Sequence, residues 1–251
     1  MSLLDFGWLE TVLLAGVRIV AFLIVAPPFS YGAFQNRIRV MIALGLAIAV
    51  APTISANTQP LDTGPFIETL IMQVIVGLAL GFVIQLTFAA LQSAGGLIDL
   101  FGGFQLAQGY DPMGSINGAQ FTRLFQITAV ALLFTTDGYQ MVVAGITRSF
   151  TAIPVSGMPD FSFTSQALIT GFSQMFLSAV QIAGPLILVL FLADAGLGLL
   201  TRVAPALNAF SLGYPLKILI TISFVGVLFV LLPGVVSSVM ESGLALLARA
   251  S

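Results

Sequence analysis

Ala167–Ala193 runs for 27 residues without a charge, and Thr69–Leu91 does the same for 23. Apolar runs of this length are rare outside a bilayer, whose hydrocarbon about 20 helical residues cross. Thr11–Phe29 adds 19 residues with a single charge, Arg18. Three shorter runs alternate with these: Val40–Ile54, Leu124–Thr136 and Ile218–Leu232, of 15, 13 and 15 residues. Without strand-like alternation, and rich in Leu, Ala, Ile and Val, all six read as helices. The short runs leave two readings open. They span by recruiting polar flanks, or they pack inside protein as half-length or broken helices. Prolines and glycines mark the boundaries, and Pro185, inside the fifth run, is expected to kink or break it. Val235–Ala250 reads as a weakly amphipathic seventh helix.

Only 7% of the chain is charged, against roughly 25% in soluble domains. An integral membrane protein, or a subunit buried in a membrane assembly, is therefore expected. Arg37, Arg39, Arg123, Arg202 and Lys217 fall on one side if the six runs alternate, which places that side in the cytoplasm. Trp8, Tyr31, Tyr139 and Tyr214 flank the runs, where amphipathic rings favour the interface.

Chemistry has little to work with. Histidine and cysteine are absent, which removes the commonest general base, the commonest metal ligand and all thiolate chemistry. No Gly-x-Ser-x-Gly elbow occurs, and the single lysine, Lys217, stands in no phosphate-binding loop. No cofactor and no catalytic residue is expected. A net charge of −2 without a basic block points to no nucleic-acid partner.

The exception to helical composition is Gly95–Gly118, with seven glycines in 24 residues. Irregular backbone at membrane depth survives only inside protein or along a water-filled cavity. The insert therefore reads as either a packed loop or the lining of a passage. Phe101 and Phe104 flank Gly102 and Gly103, where backbone turns tightly. They are either packed rings or an apolar constriction. Arg18 reads preferentially as a satisfied buried group, ion-paired or capping carbonyls, rather than as a pore charge. Asp99 and Asp194 read as helix caps or partners of Arg123 or Arg202; as coupling carboxylates they would make a secondary transporter or channel instead. Gly77 and Gly81 form a GxxxG motif that admits a neighbouring helix, with Gln73 and Gln85 at helical spacing beside it.

Three blocks carry a family resemblance. Arg18-Ile-Val-Ala-Phe22 leads to Ala26-Pro-Pro-Phe-Ser30 and Arg37-Ile-Arg39. The centre reads Gly102-Gly-Phe-Gln-Leu-Ala107, then Asp111-Pro112. The third is Leu197-Gly-Leu-Leu-Thr-Arg202, then Ala204-Pro205, Asn208 and Gly213-Tyr-Pro-Leu-Lys217. Together they make the chain resemble the FliR family, the R subunit of the flagellar export gate and of its virulence type III counterpart.

The resemblance implies an all-α membrane protein of broken and hairpin helices, packed in a helical hetero-oligomer. Residues 1–160 would be the P-subunit-like part, and residues 161–251 the Q-subunit-like hairpin and C-terminal helix, with its turn at Asp194–Phe210. The implied partners are the P and Q gate subunits, the B and A subunits of the export apparatus, and unfolded protein substrates. The implied site is a bacterial inner membrane, at the flagellar basal body. The glycine-rich loop would plug the closed pore through Phe101, Gly102, Gly103, Phe104, Gln105, Leu106, Ala107 and Asp111. The two glycines would supply its mobility. Arg18, Gly77, Gly81, Asp194, Arg202, Pro205, Asn208 and Lys217 would set subunit packing. The competing readings are the stand-alone transporter or channel using Asp99 or Asp194, and a purely structural membrane scaffold.

Overall fold

A computed structural model describes residues 6–32, 34–55, 61–104, 120–155, 161–204 and 209–250. All regular structure among them is helical. In chain order the helices are α1 Phe6–Val25, α2 Asn36–Ser55, α3 Thr63–Phe101, α4 Gln120–Thr135, α5 Gly138–Ala152, α6 Phe161–Val203 and α7 Ala209–Ala250. The all-α expectation holds. Four of these, α1, α2, α3 and α6, are long and apolar enough to cross a membrane.

The short apolar runs resolve in two ways. The second becomes a 20-residue helix by recruiting Asn36–Arg39. The fourth becomes one arm of a bent pair, α4 and α5, turned by 79°. Asp137 sits at that corner in the left-handed region, φ 56°. Asparagine and aspartate tolerate this conformation better than other non-glycine residues. The sixth lies within α7, which bends by 63° between Leu212–Leu228 and Leu232–Ser238. The predicted seventh helix is the continuation of α7 rather than a separate element.

Two expectations are narrowed. α6 runs for 43 residues through Pro185, so of the expected kink or break, the break does not occur. Long apolar flanks on both sides hold the helix through the one hydrogen bond that proline cannot donate. The hairpin turn is also shorter than Asp194–Phe210. α6 stays helical to Val203 and α7 begins at Ala209. Gly196 and Gly198 cost helix propensity but end nothing.

The chain forms two compact units. The first comprises Met1–Thr87, Leu133–Phe172 and Met240–Ser251; the second, Phe88–Leu132 and Ser173–Val239. In the first unit, α2 turns Ala43, Ala47 and Ala51 inward, all at most 1% exposed. Their spacing of four puts three methyl groups on one helix face. Ala47 packs against Gly16 of α1, so the two backbones approach closely. Where lipid removes the hydrophobic drive between helices, such small-residue contact supplies the packing. The GxxxG motif works likewise. A Cβ on Gly77 would overlap the Arg18 carbonyl oxygen, and one on Gly81 would lie 2.8 Å from that of Phe22. The helix that Gly77 and Gly81 admit is therefore α1 of the same chain. Gly77→Ala is expected to destabilise the first unit by about 1–3 kcal/mol, the usual cost of overpacking. Thermal unfolding in detergent checks it, with Gly45→Ala, which meets nothing within 4 Å, as control.

The second unit buries Leu91, Ala94 and Ile98 of α3, Phe125 and Ala129 of α4, Leu186 and Leu190 of α6, and Thr221 and Val225 of α7. α6 and α7 meet closely at Gly213, whose added Cβ would touch Leu197 at 3.5 Å.

Candidate functional site

The glycine-rich stretch is not one loop. α3 continues through Gly95 and Gly96 to Phe101, so its first seven residues are helical. Gly95 serves a close approach. A Cβ there would lie 2.6 Å from the Phe121 carbonyl oxygen and 2.7 Å from Thr122 Cα. Glycine composition alone does not separate a loop from a tight helix crossing. Here the second use accounts for Gly95.

The helix ends at a defined stop. The Gly102 N–H donates to the Ile98 carbonyl at 2.8 Å, and the Phe104 N–H to the Asp99 carbonyl at 3.0 Å. Gly103 between them has φ 83°. A six-to-one bond across a left-handed glycine is the Schellman arrangement that satisfies the last carbonyls of a helix. Gly102 and Gly103 thus form the helix stop itself. Gly102 is buried against Thr221, whose Oγ1 would lie 2.8 Å from an added Cβ. Gly103 faces the Tyr214 ring, 3.2 Å from an added Cβ. Tyr214 therefore packs at this stop.

Asp99 ties the two sides of the stretch together. Its carboxylate is fully buried. Oδ1 accepts the Phe121 N–H at 3.0 Å. Oδ2 accepts the Thr122 N–H at 2.9 Å and the Thr122 hydroxyl at 3.1 Å. Phe121 and Thr122 lie in the first turn of α4, where N–H groups lack intrahelical partners and the helix dipole favours an anion. Asp99 is therefore the N-terminal cap of α4, supplied from α3. Arg123, one of its two expected partners, is exposed beside this contact. Phe104 closes the base from above, meeting the Phe121 ring edge-on with centroids 5.0 Å apart. Phe101, the last residue of α3, is 41% exposed. Gln105, Leu106, Ala107 and Asp111 lie outside the described residues, as do Pro205 and Asn208.

The remaining predicted residues fall into two places. Asp194 on α6 and Lys217 on α7 form an ion pair, Nζ to Oδ2 2.7 Å. That partner replaces the Arg123 or Arg202 expected from sequence. Arg202 is exposed in the last turn of α6, where a cation complements the helix dipole.

Arg18 lies elsewhere, in the first unit, with no exposed surface. Its Nε donates to Gln73 Oε1 at 2.6 Å. Nη1 donates to the Ser149 carbonyl at 3.1 Å, and Nη2 to that of Ile153 at 2.9 Å. The guanidinium stacks over Phe150, 4.3 Å from the ring centroid. Gln73 Nε2 in turn donates to the Val155 carbonyl at 3.0 Å. Of the expected roles, the carbonyl cap is the one found: Arg18 closes the C-terminus of α5, at the negative end of its dipole. Its bonds are internal to this chain. Sequence reasoning placed Gln73 beside a helix contact but missed Ser149, Ile153 and Val155.

A scan against family models matches residues 9–243 to bacterial export proteins, family 1. The flagellar biosynthetic protein FliR of Pectobacterium carotovorum subsp. carotovorum is 33% identical over 227 residues, covering 90% of this chain and 87% of that protein. The FliR protein of Bacillus subtilis (strain 168) is 33% identical over 240 residues, 92% of each chain. The Yop proteins translocation protein T of Yersinia pestis is 32% identical over 186 residues, 70% of this chain and 69% of its own. A match over nearly the full length leaves one assignment: the chain belongs to the bacterial export protein family 1, with the FliR proteins.

Proposed function

We propose that this chain is the R-type subunit of a flagellar type III protein export gate, a non-enzymatic component of a channel for unfolded substrates. In this reading it assembles with P and Q subunits in a helical hetero-oligomer in the bacterial inner membrane, next to the B and A subunits of the apparatus. Residues 1–160 form the P-like part and residues 161–251 the Q-like hairpin. The stretch from Phe101 through Gly102, Gly103, Phe104, Gln105, Leu106 and Ala107 to Asp111 plugs the closed pore. Asp194, Arg202, Pro205, Asn208 and Lys217 contribute to subunit packing.

The observation that supports the plug most is the anchored base. Asp99 joins the end of α3 to the start of α4, so the described residues on either side of 105–119 are held together at one point. A plug has to resist displacement, and a base held by buried charge-assisted hydrogen bonds provides that resistance. The same contact favours a capping role for Asp99 over a coupling one, because three of its acceptor positions already hold a helix end.

Co-purification in mild detergent with P and Q subunits tests the assembly. A stable hetero-oligomer is the expected result. A stable monomer that couples proton flux to a small solute would support the transporter instead.

A further inference from the structure

A groove of about 370 Å³ runs along the first unit between α1, α2 and α3. Its walls include Leu13, Val20 and Ile24 of α1, Val40 and Leu44 of α2, and Leu78 of α3. Gly16 of α1 lines it as well. Leu13, Ile24, Val40 and Leu44 are about half exposed, so the groove opens outward. All three helices are long and apolar enough to cross a membrane, so the groove faces hydrocarbon wherever they meet lipid.

Its end carries charge. Arg37 precedes Val40 by three residues and Leu44 by seven, which places it on the groove face one turn beyond the apolar wall. Arg37 is exposed and makes no hydrogen bond or ion pair with another described residue. Its neighbour Arg39 is engaged, donating to the Phe29 carbonyl at 2.7 Å and to Asn36 Oδ1 at 3.0 Å. Arg37 also stands in the first turn of α2, where the helix dipole disfavours a cation unless an anion is present. A linear alkyl chain fits a groove of this volume and apolar lining, and the exposed guanidinium one turn beyond its wall complements a phosphate.

We propose that this groove binds an anionic phospholipid, one acyl chain between α1, α2 and α3 and the phosphate on Arg37. The site lies wholly in the first unit and does not depend on the plug.

Native mass spectrometry of the chain co-purified with P and Q subunits tests it, using phosphatidylglycerol and phosphatidylcholine of identical acyl chains. Phosphatidylglycerol is expected to be retained about fivefold more strongly, the attraction of one arginine for an anionic surface. Arg37→Gln should abolish that preference while leaving both lipids bound. Gly16→Leu should fill the groove and displace both. Gly16→Ala should change nothing, since its Cβ would reach Ala47 only at 3.8 Å. If Gly16→Leu fails to accumulate, Leu78→Phe replaces it as the blocking variant. Equal retention of the two lipids, a preference that survives Arg37→Gln, or binding that survives a folded blocking variant would each overturn the proposal. So would a cysteine at Val20 that crosslinks to a P or Q subunit, since a protein would then occupy the groove.

Discussion

Replacing Asp99 with alanine is expected to destabilise the second unit by about 2–6 kcal/mol, because each stranded buried donor costs about 1–3 kcal/mol. Two backbone N–H groups lose their acceptor, those of Phe121 and Thr122. Water cannot replace the carboxylate without opening the contact, because Gly95 brings α3 against the Phe121 backbone. Asp99→Asn keeps one oxygen but turns an amide donor toward an N–H, so an intermediate loss is expected. Hydrogen exchange gives the local readout. The first-turn amides of α4 should lose protection in Asp99→Ala, with smaller loss in Asp99→Asn. Unchanged protection at Phe121 and Thr122 would show that α4 does not need this cap.

Arg18→Leu is expected to cost about 3–5 kcal/mol, since it strands several buried acceptors at about 1–3 kcal/mol each. Gln73 Oε1 and the Ile153 carbonyl lose the donors on which they converge, and Ser149 loses one of its two. Leucine offers the membrane an easier residue, because a charge at bilayer depth costs about 2.5–3.5 kcal/mol on insertion scales. The folded state should nevertheless be the less stable one. Arg18→Lys keeps the charge but lacks the planar fork that serves Gln73, Ser149 and Ile153 at once. It is expected to recover only part of the loss. Unfolding midpoints in mild detergent rank the three proteins. An Arg18→Leu variant as stable as the parent would remove the capping role of Arg18.

The sequence made the helices legible because long apolar runs carry their own length signal. It did not show where the runs end. Asn36–Arg39 looks polar yet completes α2, and Asp194–Val203 looks like a turn yet continues α6. Both stretches are largely exposed, so burial is not what keeps them helical; each extends a long apolar helix whose nucleation the neighbouring run has already met. Arg18 was legible as an anomaly, but its partner Ser149 lies 131 positions away. No local pattern encodes that distance. Asp99 had a readable clue: Ala119, immediately before α4, has no side chain that can cap. A helix without a local Ser, Thr, Asp or Asn cap asks for an acceptor from elsewhere. Gly95 misled because close approach and turning both favour glycine, while Gly103 was readable as a helix stop. Gly77 and Gly81 signalled a contact correctly; their motif does not say whether the partner is another subunit or α1 of the same chain.

The central claim is that the stretch following the Gly102–Gly103 stop closes a pore. Planar-bilayer conductance of the gate assembled with P and Q subunits tests it most directly. Deletion of Gly102–Leu106 should raise the ion leak of the closed gate well above that of the parent. A deletion variant that still assembles and whose conductance equals the parent's would contradict the claim.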